Sequence, residues 1–229
     1  MRVYENTLRV IYLPRYAGEL QGFFRIEGSD GGVRIQGPLS ADVMVAAFLQ
    51  AEVSSPRFGV PISRLLARDG RERRVLEAPD LTGADENAYR ARLLGEWRGY
   101  GRNADVFTDL PGDTRWFRAV LDHADLERVK YINDDYWIGF SGGSRLVKDA
   151  VARIHNGEID PGEAACYRVF AEALAQGARF PELILLHNPS TDELVVMEGH
   201  IRITSYLLWL GSRPTQLPVI LGASDRMQK

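Results

Sequence analysis

The stretch Glu198-Gly199-His200-Ile201-Arg202-Ile203-Thr204-Ser205 gathers the groups in this sequence most able to do chemistry. Gly199 lets the backbone turn tightly and approach a ligand closely. The residues after it read as the first turn of a helix, whose amide N–H groups lack intrahelical partners and favour anions. His200 and Arg202 add side-chain donors at the same point, and a guanidinium suits bidentate phosphate contact. Thr204 or Ser205 would add a hydroxyl. The same string also fits plain turn and cap chemistry with Arg202 as a solvated helix residue, so the letters alone leave both readings open.

A second cluster is Ser141-Gly142-Gly143-Ser144-Arg145. Glycines, hydroxyls and an arginine just before a helix describe either a second anion nest or an ordinary loop with Ser144 as the cap. Trp137 and Phe140, just upstream, would stack a base or fill the core. His123 and His155 stand near predicted helix ends and His187 at a strand tip, where capping or surface roles suffice. No histidine pair has helical metal spacing, so no metal site is expected beyond magnesium carried by a bound nucleotide. A nucleophile elbow is not expected.

These residues must be positioned by elements, and the last fifty residues are the clearest. Residues 183–187 read as an apolar strand, 188–192 as a turn and 194–197 as the return strand. Residues 198–200 break the pattern, 201–210 read as a helix stopped by Gly211, and 218–221 as a last strand. Upstream, Asp160-Pro161-Gly162-Glu163 opens a helix that ends at Gly177. Helices are also predicted over 41–50 behind a Ser40 cap, over 85–97, from Asp122 with Leu126 and Val129 inward, and over 146–155. Thr114 is predicted to cap a short helix holding Trp116, Phe117 and Val120. Strands are predicted at 6–13 and 73–77, and at 22–27 and 33–36 around the hairpin signal Gly28-Ser29-Asp30-Gly31-Gly32. The class is α+β, with a small region over 1–100 and a second unit over 101–229.

Composition sets the outer limits. The 229 residues are 45% hydrophobic and 26% charged, enough apolar matter for a core and too much for wholesale disorder. The net charge is −3 and both halves are near balance, so bulk nucleic-acid binding is not favoured, although a local basic cleft stays open. Lys130, Lys148 and Lys229 are the only lysines among 28 basic residues, which fits genome composition or, more weakly, phosphate handling by arginine forks. The apolar runs at 183–186 and 207–210 are too short for a bilayer, so no membrane role is expected. No signal peptide is expected at the N-terminus, and the single cysteine, Cys166, excludes a disulfide framework; the cytoplasm is the default compartment.

Taken together, residues 180–186, 193–208 and 217–222 resemble the ParB/sulfiredoxin superfamily. The resemblance covers about 160–222, begins near 130 and leaves residues 1–100 unexplained. It implies a preceding helix at 165–176 and a nucleotide, CTP, ATP or ADP, whose phosphates lie at the helix start. Gly199, His200, Arg202 and Thr204 would bind it, with Ser144 and Arg145 assisting from a facing loop. Members of the superfamily act as CTP-driven DNA clamps, reduce over-oxidised peroxiredoxin or phosphorylate free serine, and some relatives are described as nucleases.

The departures narrow these outcomes. Cys166 lies outside the motif, on the preceding helix and expected on its buried side, which argues against the reductase. Only seven residues follow Gly222, which argues against a DNA clamp with an appended helix-turn-helix. His200-Ile201-Arg202 replaces a double arginine and looks nearer to the small-molecule kinase branch. That chemistry needs an acid/base group; Glu198 is the candidate, with His200 beside it and Asp134 and Asp135 in an upstream loop. The expectation is a nucleotide-binding protein, with phosphotransfer to a small hydroxyl-bearing molecule as its catalytic form. The alternative is a non-catalytic nucleotide sensor or nucleic-acid-associated regulator. A third outcome is an interaction module whose ligand pocket is filled by its own Trp137 or Trp209.

Overall fold

A computed structural model describes residues 24–25, 33–209 and 216–228. Apolar residues alternate along the central strands, and that alternation builds two cores on the two faces of one sheet. The strands are β1 (Phe24–Arg25), β2 (Arg34–Leu39), β3 (Arg115–Leu121), β4 (Lys130–Tyr131), β5 (Leu183–Asn188), β6 (Glu193–Glu198) and β7 (Leu217–Ala223). Among the described residues they form a mixed sheet of order β1-β2-β3-β7-β5-β6-β4. β5 lies antiparallel to β6 and parallel to β7, and β4 lies parallel to β6.

The helices divide by chain order. α1 (Ala41–Val53), α2 (Gly59–Arg68), α3 (Arg74–Glu77) and α4 (Ala84–Arg98) cover one face, meeting Ile184, Leu186, Met197 and Ile220 of the sheet. α5 (His123–Arg128), α6 (Asp135–Phe140), α7 (Val147–His155), α8 (Pro161–Ala175) and α9 (His200–Leu208) cover the other, meeting Leu183, Leu185, Val196, Val219 and Leu221. The class is α+β, as expected. β2 precedes residue 100 and β3 follows it, yet the two pair antiparallel, so one sheet carries strands from both regions of the chain. No helix among the described residues is long and apolar enough to cross a membrane.

Two elements differ from expectation. Residues 115–121 form the strand β3, paired on one side with β2 and on the other with β7. Its Trp116, Ala119, Val120 and Leu121 are buried, and such two-sided burial blurs the alternation that would mark a strand. Thr114 donates its hydroxyl to the Pro111 carbonyl in a turn and does not cap a helix. Residues 74–77 form α3 where an edge strand is expected. Val75 and Leu76 are adjacent and both buried in one core, which a strand would send to opposite faces.

A short helix, α6, also stands where a loop is expected at Asp134 and Asp135; elsewhere most of the pattern holds. Asp160 accepts from the Gly162 and Glu163 amides to open α8, and Asp122 and Asp125 form a reciprocal capping box at α5. Ser40 precedes α1 as expected, but its side chain makes no cap bond. The hairpin pairing is present, with Phe24 opposite Ile35. The strand predicted at 6–13, the turn at 28–32 and the stop at Gly211 lie outside the described residues.

Candidate functional site

β6 runs into Gly199, which adopts φ 102°, and α9 begins at His200. This backbone is left-handed, so glycine is required there. A side chain at Gly199 would also collide with Leu183 Cδ2 and press on the Arg202 guanidinium. The close approach that glycine permits is therefore made by the protein's own leucine and arginine.

Arg202 points inward. It is 8% exposed, donates to the Pro181 carbonyl and to the Glu182 carbonyl at 3.3 Å, and pairs with the Glu198 carboxylate. Burial lowers its pKa to about 10, which still leaves it cationic at neutral pH. Arg202 is thus a cross-brace between the start of β5 and the end of β6 and not a solvated helix residue. Its partner, Glu198, is held in the same pair and is not a free base.

Thr204 and Ser205 are fully buried. Thr204 donates to the His200 carbonyl at 2.7 Å, and Ser205 to the Ile201 carbonyl at 2.8 Å. With its one proton so placed, Thr204 accepts from the Tyr131 hydroxyl at 2.6 Å. Neither hydroxyl faces a ligand in this arrangement.

His200 is different. Its Nε2 is buried and has no hydrogen-bond partner among the described residues. Desolvation lowers its pKa to about 4, against a small opposing pull from Asp134, so the ring is neutral at physiological pH. The imidazole stacks on Trp137, with centroids 4.8 Å apart and planes 14° apart. Asp134 and Asp135 stand at the start of α6 and not in a loop, Asp134 accepting from the Tyr136 amide as its cap.

The glycine-rich turn uses its own donors. The amides of Gly142 and Gly143 donate to the Gly139 and Ile138 carbonyls, that of Arg145 to Ser141 Oγ, and that of Leu146 to Ser144 Oγ. The Arg145 side chain forks onto the Tyr131 carbonyl through Nε at 2.9 Å and Nη2 at 2.7 Å. This turn has little left with which to cradle an anion. Gly139-Phe140-Ser141-Gly142-Gly143 carries the spelling of a nucleophile elbow, contrary to expectation. It overlaps the end of α6, however, and Ser141 is 2% exposed and donates to the Trp137 carbonyl at 2.8 Å, so the strand-turn-helix context of an elbow is missing.

Tyr131 is the residue that composition and spacing miss. Its amide donates to the Arg145 carbonyl, its own carbonyl takes the Arg145 fork, and its hydroxyl reaches Thr204. The two predicted clusters therefore meet through Tyr131, which brings Ser144 and Arg145 to the same side of the sheet as α9. Cys166 is exposed on α8, not on its buried side. No group of His, Cys, Asp and Glu among the described residues is arranged to hold a metal ion. An open pocket of about 400 Å³ lined by Pro38, Leu39, Ala41, Thr114, Arg115, Trp116 and Phe117 lies at the opposite ends of the strands from α9.

No family model matches the chain, and no curated protein or solved structure matches it either. His200 Nε2 at the first turn of α9 is left buried and unpartnered among the described residues, whereas Arg202, Thr204 and the glycine turn are engaged within the protein.

Proposed function

We propose that the chain binds a nucleotide or another phosphorylated ligand at the start of α9, within a ParB/sulfiredoxin-like unit. The observation that carries this is the buried, unpartnered Nε2 of His200 on the first turn of a helix. A neutral imidazole with its proton on Nε2 would donate to a phosphate oxygen, beside amides that favour the same charge. Such a bond would offset the cost of leaving a buried polar atom unpaired. The succession α8, β5, β6, α9, β7 also supports the superfamily resemblance. Magnesium would arrive with the nucleotide, held by its phosphates and a carboxylate.

Binding without turnover is favoured over phosphotransfer by one contact. Glu198, the candidate base, is paired with Arg202, and a carboxylate so held is a poor proton acceptor. Transfer to a hydroxyl-bearing acceptor requires that pair to loosen. The alternative of a nucleotide-sensing or nucleic-acid-associated regulator needs no such change.

The test is calorimetry and thermal shift with ATP, ADP, CTP and GTP plus magnesium, on wild type and His200→Ala. Ligand at a hundred times its dissociation constant stabilises the fold by about 2.7 kcal/mol. Binding that falls at least about tenfold in His200→Ala is expected, roughly the worth of one hydrogen bond. Equal affinity in both proteins, or no binding at millimolar nucleotide, overturns the assignment.

A further inference from the structure

Three near-parallel rings join α6 to α9. The Trp137 indole stacks on His200 and also on Tyr131, the latter at 4.5 Å with planes 20° apart. The ring carrying the unpartnered nitrogen is therefore faced by the protein's own indole. A stack of this kind is what a planar ligand would make at the same place.

The segment that carries Trp137 is short and is anchored in the core at its end by the buried Phe140. α6 is six residues long, and Asp134, Asp135, Tyr136 and Gly139 are exposed. Its polar ties are the Tyr136 hydroxyl on Glu163 at 2.5 Å and with the Tyr167 hydroxyl at 3.3 Å, and Arg153 on the Gly139 and Phe140 carbonyls. The chain leaves α6 through Gly142 and Gly143, at φ 69° and 99°, a pair whose backbone has freedom that other residues lack.

We propose that α6 is a latch that closes the site with its own side chain: the Trp137 indole occupies the face of His200, and nucleotide binds when α6 withdraws. This rests on the nucleotide reading of the α9 start. The closed form then competes with ligand, and the apparent affinity is the intrinsic one scaled by the open fraction.

The experiment compares wild type, Trp137→Ala, Trp137→Phe and Tyr136→Phe by calorimetric titration with ATP, ADP, CTP and GTP, each with magnesium. Trp137→Ala should bind the preferred nucleotide about ten- to a hundredfold tighter, since removing the indole removes the competitor. Trp137→Phe keeps a ring on His200 and should stay within about threefold of wild type. Tyr136→Phe cuts the tie to Glu163 without touching the stack and should tighten binding about two- to fivefold, which keeps the latch testable if Trp137→Ala does not fold. Unchanged or weaker binding in Tyr136→Phe and in a folded Trp137→Ala overturns the latch; if His200→Ala still loses affinity, the binding site itself stands. No binding by any of these proteins overturns latch and site together.

Discussion

The two helical layers that sandwich the sheet are built by different means. None of α1–α4 opens with a side-chain cap, and that layer is tied together by arginine forks. Arg98 and Trp97 of α4 donate to the buried Glu52 of α1, Arg68 of α2 grips Glu96 of α4, and Arg73 reaches the Val53 carbonyl. Arg90, wholly buried, joins the Val75 and Asp80 carbonyls, so its one unpartnered Nε belongs to a guanidinium otherwise well bonded. Across the sheet, Asp122, Asp134 and Asp160 cap α5, α6 and α8, and stacked rings join α6 to α9. A planar fork with five donors suits carbonyls and carboxylates that several helix ends leave open. In the first layer the arginines join helix to helix, whereas Arg145, Arg153 and Arg202 in the second brace a strand, a turn and a helix end.

The comparison can be broken most sharply at Arg202. Arg202→Ala should cost about 3–5 kcal/mol in urea unfolding, because it strands a partly buried Glu198 and two carbonyls. A loss under about 1 kcal/mol would mean that this guanidinium is solvated and not a brace.

Next in size is the acid response of His200. Its folded pKa of about 4 lies below the ordinary value of 6.5. Between those values the unfolded chain takes up a proton that the folded chain refuses, so stability falls as pH drops through that window. The loss should approach about 3 kcal/mol by pH 4 and vanish above pH 6.5. His187, lowered by burial in the same direction, adds to the slope. Stability measured against pH should be flatter in His200→Gln; equal slopes would mean that the ring is hydrated.

A smaller effect is expected in the sheet. A Cβ at Gly222 would meet Trp116 Cζ3 at 2.7 Å and Leu186 Cδ2 at 3.1 Å, so Gly222→Ala should cost about 1–3 kcal/mol by overpacking. Smallest is the contrast between caps. Asp160→Ala should cost about 1 kcal/mol, whereas Ser40→Ala, with no cap bond to lose, should stay within about 0.5 kcal/mol by thermal melting.

Much of the second layer is legible in advance. Asp122, Asp160 and Pro161 signal helix starts through local chemistry, and β5, β6 and β7 are short apolar runs between turn residues. β3 is not legible, because its flanking strands come from residues 34–39 and 217–223, far away in the chain. At the site, Gly199 and His200 are readable as a helix start. The inward turn of Arg202 had no such signal, since Glu198 ends a strand across the left-handed Gly199, whereas Thr204 stands four after the helical carbonyl it binds. Trp137 is readable as an aromatic beside the site, but its seat on His200 is not, and Tyr131 has no signal at all for its hydroxyl bond to Thr204, because both partners lie more than sixty residues away.

Caps, turns, the left-handed glycine and the apolar runs are local, each set by neighbours within a few residues. Side-chain direction is set by packing. Whether Arg202 faces solvent or Glu198, and whether His200 is open or stacked beneath Trp137, depends on burial and on which distant groups arrive beside them. A spacing places a side chain on a face, but the energetic balance between desolvation and pairing selects its partner, and that balance exists only once the layers have packed.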